Sequence, residues 1–308
     1  MTPPRRLTPL RQVQTDVLDV SYYEAGPADG RPVVLLHGYP YDIHSFVDVA
    51  PWLAEEGCRV IVPYLRGHGC TAFRDLRTPR SGQQAALAVD VLQLLDALEV
   101  PHAVLAGYDW GGRAACIAAA LWPDRVTGLV SVNGYLIQDI AASARPLRPD
   151  LEAGLWYFFY FLTERGRAGL ENHRRGVAEV IWRRNSPEWE FDPAVLDRAA
   201  AAFVNPDYVE VVLHSYRHRM GAAPGAAAYT LVERALAAQP AITVPTVTLD
   251  GTADGNFPAR TGEPDASLFT GPRRHHLVEG AGHHLPFEAP VAFTDAVLEV
   301  LEMAGLSR

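Results

Sequence analysis

Six residues, Gly107-Tyr108-Asp109-Trp110-Gly111-Gly112, constrain this chain more than any other stretch. They stand between an apolar run, 102–107, that reads as a strand buried on both faces, and an alanine-rich run to Trp122 that reads as a helix. A strand turning into a helix within so few residues forces the central residue into strained backbone angles and aims its side chain outward above the sheet. Small neighbours are what permit that close approach. The residue so presented is an aspartate. Taken alone, the hexapeptide also fits an Asp N-cap after a glycine-rich turn, so the rest of the chain decides between the two.

The rest of the chain alternates. Short apolar runs at 33–36, 59–63 and 128–132 repeat the buried-strand pattern, and 13–24 alternates with period two, as a hairpin leading into a sheet does. A helix is expected from Ser81, with Gln84 closing a capping box and Leu87, Val91, Leu94, Leu95 and Leu98 facing inward. From about Tyr135 to Ala238 the rhythm breaks: Trp, Tyr, Arg and Glu fall at helical spacing and no buried strand stands out. Alternation resumes at 241–249 and 276–279, and a closing helix over 289–304 turns Val291, Phe293, Val297, Leu298 and Leu301 inward. The pattern predicts an α/β fold, a mostly parallel sheet flanked by helices, with core segments 1–134 and 239–308 and a helical insertion over 135–238. No repeat of solenoid length interrupts it.

Composition narrows the function. At 308 residues and 48% apolar, the chain can bury a sizeable core. Its 27 basic and 36 acidic side chains give a net charge of −9, which repels phosphate backbones and argues against a nucleic-acid partner. The densest apolar stretch, 155–162, is far short of the roughly 18 residues that read as a membrane span, so a soluble chain with no membrane partner is expected. The basic opening Met1-Thr2-Pro3-Pro4-Arg5-Arg6 is not followed by the apolar run of a secretory signal. Cys58, Cys70 and Cys116 are an odd set without metal-type spacing, which fits reduced thiols in the cytoplasm and no metal. The oligomeric state is not legible.

A nucleophile on such an elbow needs a base, a group that orients the base, and donors for developing charge, in the chain order nucleophile, acid, histidine. Asp254 follows the strand at 241–249, and His283, in Gly280-Ala281-Gly282-His283, follows the next one. Both fall at C-terminal strand ends, where open α/β sheets hold their ligands. Asp250 competes with Asp254, and His284 competes with His283. The loop His37-Gly38-Tyr39-Pro40 after the strand at 33–36 would offer the N–H of Tyr39 to the oxyanion site, paired with the N–H of Trp110; its plain alternative is a Gly/Pro turn.

With these residues the chain resembles the α/β-hydrolase fold superfamily, and within it the aspartate-nucleophile branch of epoxide hydrolases and dehalogenases. The resemblance covers nearly the whole length. It implies that the Asp109 carboxylate attacks an sp³ carbon to form an alkyl ester, and that His283, oriented by Asp254, activates water to hydrolyse it. It also implies that a helical cap carries two tyrosines that hold an epoxide oxygen. The first lies three residues before a Tyr-Phe pair, which matches Tyr157 ahead of Tyr160-Phe161, with Tyr160 as the competing choice. The second precedes an arginine, which matches Tyr216 before Arg217. A phenol with a pKa near 10 stays protonated at neutral pH and can donate to an alkoxide.

The resemblance therefore points to an epoxide hydrolase without metal or organic cofactor, acting on a small apolar or amphipathic epoxide. A haloalkane or haloacid dehalogenase using the same Asp/His/Asp set is the alternative, since Trp110 also follows the nucleophile in haloalkane dehalogenases. Tyr39 favours the epoxide side. The fluoroacetate enzymes carry Asp-Arg-Gly-Gly-Arg and a cap His-Trp pair; here the elbow has Trp110 before Arg113, and Phe158-Phe159 stands at the His-Trp position. Arg113 fits either an acidic ligand or a structural hydrogen-bonder. A non-catalytic member of the fold that binds a ligand between cap and sheet is the second alternative. Tyr108 and Tyr64 depart from the family pattern, which marks an outlying subgroup. Residues 183–189 and 205–208 read as helix boundaries only.

Overall fold

The computed structural model describes residues 4–257, 259 and 265–306; the first three residues of the opening segment lie outside them. Nine strands form one sheet: β1 (Leu10–Gln14), β2 (Leu18–Ala25), β3 (Arg31–Leu36), β4 (Cys58–Pro63), β5 (Ala72–Phe73), β6 (Ala103–Gly107), β7 (Val126–Val132), β8 (Thr246–Gly251) and β9 (Arg273–Val278). Their order is β1-β2-β4-β3-β6-β7-β8-β9, with β5 against β2. The β1–β2 hairpin, expected from the period-two pattern, pairs Leu10 with Tyr23 and Gln14 with Asp19. It joins β4 antiparallel, and from β4 to β9 every neighbouring pair is parallel.

Val33, Val34, Leu35 and Leu36 of β3 are wholly buried, as a central strand with helices on both faces requires. Before the insertion those helices are α1 (Val49–Glu55), α2 (Gln84–Ala97) and α3 (Asp109–Leu121). Between β7 and β8 the chain holds helices and no strand: α4 (Pro149–Gly154), α5 (Trp156–Tyr160), α6 (Glu164–Asn185), α7 (Pro193–Ala200), α8 (Tyr208–Arg219) and α9 (Thr230–Leu236). α10 (Leu285–Glu288) and α11 (Pro290–Met303) close the chain. Among the described residues no helix is long and apolar enough to cross a membrane.

Local readings fail in three places. α2 starts at Gln84, three residues after Ser81, and has no side-chain cap. The Gln84 amide reaches instead to the Gln138 carbonyl and to Glu233. β8 starts at Thr246 rather than 241, because Pro245 has no N–H for the ladder. In α11, Phe293, Val297 and Leu301 are buried and Leu298 is partly so, but Val291 is exposed. It lies two residues before Phe293, across the helix from the buried stripe.

Parallel pairing puts the C-terminal ends of β3, β6, β7, β8 and β9 on one edge of the sheet. The loops that leave this edge carry His37 to Pro40, Asp109, Asn133, Asp254 and His283.

Candidate active site

Asp109 has φ +50°, left-handed backbone that a residue with a Cβ rarely adopts. Glycines make room for it. A Cβ on Gly111 would stand 2.0 Å from the Leu36 carbonyl oxygen, and one on Gly107 would stand 2.8 Å from the Gly111 carbonyl carbon. α3 can therefore start against the end of β3, with its first side chain turned toward the neighbouring loops.

Those loops meet the carboxylate. The Tyr39 N–H donates to Asp109 Oδ1 at 2.7 Å. A Cβ on Gly38 would stand 2.5 Å from the Asp109 Cβ, so glycine lets the backbone come this close. The Trp110 N–H bonds to no side chain among the described residues. Its ring stacks on that of Tyr39, centroids 5.4 Å apart. The His37 side chain shores up the loop: Nδ1–H donates to the Gly38 carbonyl at 3.0 Å, and Nε2 accepts the Leu65 N–H at 3.1 Å. That pattern needs the neutral imidazole, which burial also favours by lowering its pKa. Pro40 offers its carbonyl to Trp182 Nε1–H of α6 at 2.9 Å.

His283 is wholly buried, with Nε2 3.7 Å from Asp109 Oδ2 and Nδ1 2.9 Å from Asp254 Oδ2. Asp254 Oδ1 accepts the N–H groups of Asn256 and Phe257, both at 2.8 Å, and Oδ2 also accepts from Asn133 Nδ2 at 3.1 Å. Burial alone would lower the His283 pKa, but the Asp254 charge and hydrogen bond, with the Asp109 carboxylate facing Nε2, outweigh it and raise it to about 10. Burial would likewise raise the Asp109 carboxyl, yet His283, Arg113 and the Tyr39 N–H hold it below its ordinary value.

The competitors stand elsewhere. His284 Nε2 bonds to Ser45 Oγ at 2.8 Å, and Ser45 bonds on to the Tyr108 hydroxyl at 2.7 Å. Asp250 lies 3.8 Å from His275.

On the insertion, Tyr157 of α5 and Tyr216 of α8 are buried with ring centroids 5.4 Å apart, nearly perpendicular. Burial and the nearby Asp109 charge raise both phenols, well beyond the ordinary value for Tyr216; at Tyr157 the contact with Tyr216 works the other way. Both therefore stay protonated at neutral pH. Tyr160 points away: its hydroxyl faces α6, where a Cβ on Gly169 would stand 1.9 Å from it. Arg113 is buried one turn along α3 from Asp109.

Several contributors carry no sequence signal of their own. Asn133 holds φ +69° directly after β7, and the Asn133-Gly134 pair is the one local hint that it turns back toward Asp254. Residues 183–186, within the stretch 183–189 read only as a helix boundary, touch two loops of the site, and Trp182 just before them touches a third. The Asn185 carbonyl accepts the N–H groups of Gly255 at 2.9 Å and His283 at 3.2 Å. Arg184 donates to the Gly255 carbonyl, and Ser186 Oγ to Glu288 at 2.6 Å. Asn205 likewise fixes a neighbouring loop, donating to the Gly69 and Thr71 carbonyls. Among the described residues no group of three or more His, Cys, Asp or Glu side chains could hold a metal ion.

A family model described as alpha/beta hydrolase fold matches residues 31–290. Epoxide hydrolase A of Mycobacterium tuberculosis is 27% identical over 94% of this chain and 96% of its own length. The magnesium-chelatase 30 kDa subunit of Rhodobacter capsulatus is also 27% identical, over 91% of this chain and 89% of its own. A crystal structure of a provisionally assigned epoxide hydrolase from Klebsiella pneumoniae is 47% identical, covers 94% of this chain and 96% of its own, and superposes with a TM-score of 0.92.

Proposed function

Because the chain belongs to the α/β-hydrolase fold family, we propose that it is an epoxide hydrolase, opening an epoxide to a vicinal diol through an alkyl ester on Asp109. Two relatives at the same identity bear unlike names, so the choice of substrate rests on the site. The observation that carries it is the pair of buried, protonated phenols, Tyr157 and Tyr216, close enough to Asp109 to feel its charge. An epoxide oxygen becomes an alkoxide as its carbon is attacked, and it needs donors on the side away from the nucleophile. A departing halide needs no proton.

In this mechanism Asp109 attacks an epoxide carbon, the C–O bond breaks, and the alkoxide takes a proton from the tyrosine pair. Esterification removes the Asp109 charge that helps hold His283 protonated. Its proton is then released and makes good the one the phenol gave up. Neutral His283, oriented by Asp254, takes a proton from water as the hydroxide adds to the ester carbon. The resulting oxyanion sits at the Tyr39 N–H, with the Trp110 N–H as second donor. Collapse frees the diol and restores the Asp109 carboxylate beside His283 imidazolium, so protons balance over the cycle. Helices of 135–238 serve as the cap, and no cofactor enters a step. The free thiols Cys70 and Cys116 suit the cytoplasm.

Incubating the enzyme with styrene oxide and, separately, with 1-bromohexane tests the choice: diol without halide release is expected, and halide release without diol overturns it in favour of a dehalogenase. His283→Gln should trap the ester, adding the mass of styrene oxide to the peptide containing Asp109. Unaltered protein that turns over neither substrate, together with a folded His283→Gln variant that forms no adduct, points to the non-catalytic ligand binder.

A further inference from the structure

Two cations beside Asp109 transfer no proton and form no bond in this chemistry. Arg113 of α3 and Arg219, the last residue of α8, converge on one neutral group, the side-chain amide of Gln138. With its oxygen turned toward them, that amide accepts from Arg219 Nε at 2.8 Å and Nη1 at 3.2 Å, and from Arg113 Nη2 at 3.1 Å. Gln138 is held in place by its backbone: its N–H donates to Gln84 Oε1 at 2.9 Å and its carbonyl accepts from Gln84 Nε2 at 3.2 Å. The Arg219 guanidinium also lies over the Phe158 ring, 4.4 Å from its centroid.

Neither arginine has a carboxylate within ion-pair distance among the described residues. Of the other buried arginines, Arg198 rests on the Arg5 carbonyl, whereas Arg66 is neutralised. Arg66 forks onto Asp90, Nε to Oδ2 at 2.6 Å and Nη2 to Oδ1 at 2.5 Å, the bidentate geometry that suits a guanidinium. Arg113 and Arg219 share one uncharged oxygen, and burial together with the neighbouring Arg113 charge lowers Arg219 to about 10. The carboxylate whose charge both feel is Asp109. Burying like charges without a counter-ion is costly, and a planar oxyanion presented to two guanidinium forks removes that cost.

We propose that Arg113 and Arg219 form a subsite for a carboxylate on the substrate, so that the preferred substrate is an epoxide bearing an acid. Only the oxirane half of this inference rests on the function proposed above; carboxylate binding stands without it. Phe158, beside Arg219 and 5.0 Å from the Tyr216 ring, supplies apolar surface between the acid and the reacting carbon.

Calorimetry on the unaltered protein with hexanoate and hexanamide tests the subsite directly. Hexanoate should bind about tenfold or more tighter, as a charge-assisted pair gives. Turnover of glycidate, 3,4-epoxybutanoate and 5,6-epoxyhexanoate, each against its methyl ester, should show at least one acid preferred by a similar factor in kcat/KM. Arg219→Met should bring the acid-to-ester ratio near one, and Arg219→Lys should restore part of it. Equal binding of hexanoate and hexanamide overturns the proposal, as does an acid-to-ester ratio that Arg219→Met leaves intact. If no epoxide is turned over but hexanoate still outbinds hexanamide, the carboxylate subsite stands and the epoxide hydrolase reading falls.

Discussion

Asp109, Asp254 and His283 sit on three loops at one edge of the sheet, whereas Tyr157 and Tyr216 sit on two helices of the insertion. The first set is held by main chain: a left-handed φ at Asp109, the Tyr39 N–H on its carboxylate, two N–H groups on Asp254, and the Asn185 carbonyl on the His283 N–H. The second set is held by rings, with Phe158 and Phe161 packed around the Tyr216 phenol at 5.0 and 5.3 Å. Sites fixed by backbone fail abruptly when the backbone is displaced. Sites fixed by side-chain packing lose function one hydroxyl at a time.

Glycine substitutions in the two regions should differ most. Gly111→Ala would drive its Cβ into the Leu36 and His37 carbonyl oxygens at 2.0 and 2.6 Å, and should cost about 3 kcal/mol or more in urea unfolding along with most turnover. Gly176→Ala in α6 meets nothing within 4 Å, and should stabilise the protein by about 0.5–1 kcal/mol through helix propensity. Equal effects at the two positions would erase the contrast.

The phenols come next. Tyr157→Phe and Tyr216→Phe should each lower kcat/KM for styrene oxide by about 10- to 100-fold, since one of two shared donors remains. Tyr160→Phe should change it by no more than about twofold, because that hydroxyl faces Gly169. A Tyr160 effect as large as that of Tyr157 would reassign the donor.

Dependence on pH separates the regions as well. The folded pKa of His283, about 10, lies above its ordinary 6.5, so the native state binds this proton more tightly than the unfolded chain does. The resulting stability is fully present below pH 6.5 and is lost as pH rises through about 10. Urea midpoints should fall over that window, and His283→Gln should flatten the fall; an unchanged slope in the variant would show that Asp254 and Asp109 do not hold the proton.

The same division explains what could be read from the sequence. The elbow is legible because glycine, aspartate and glycine at fixed spacing between a strand and a helix state a backbone conformation locally. Asp254 and His283 are legible as residues that follow strands, although setting aside Asp250 and His284 required seeing which rings and carboxylates face one another. Gln84 shows where such reasoning stops: its amide suits a capping box, but Gln138 and Glu233 take it. Arg219 and Gln138 lie far apart in sequence and meet only through tertiary folding, so no window of residues reveals their partnership. Trp182 carries no local signal of its role either: its indole N–H reaches Pro40 across the boundary between the two regions.

The end of α6 has a further consequence. One carbonyl, that of Asn185, binds the loops of both Asp254 and His283, while Trp182, three residues earlier, grips the loop of Tyr39. The insertion is therefore not a detachable module. A chimera that exchanges residues 135–238 for those of a relative keeps this geometry only if residues 182–186 keep their grip on the recipient sheet, and swinging the whole insertion aside would loosen the loops of His283, Asp254 and Tyr39 together.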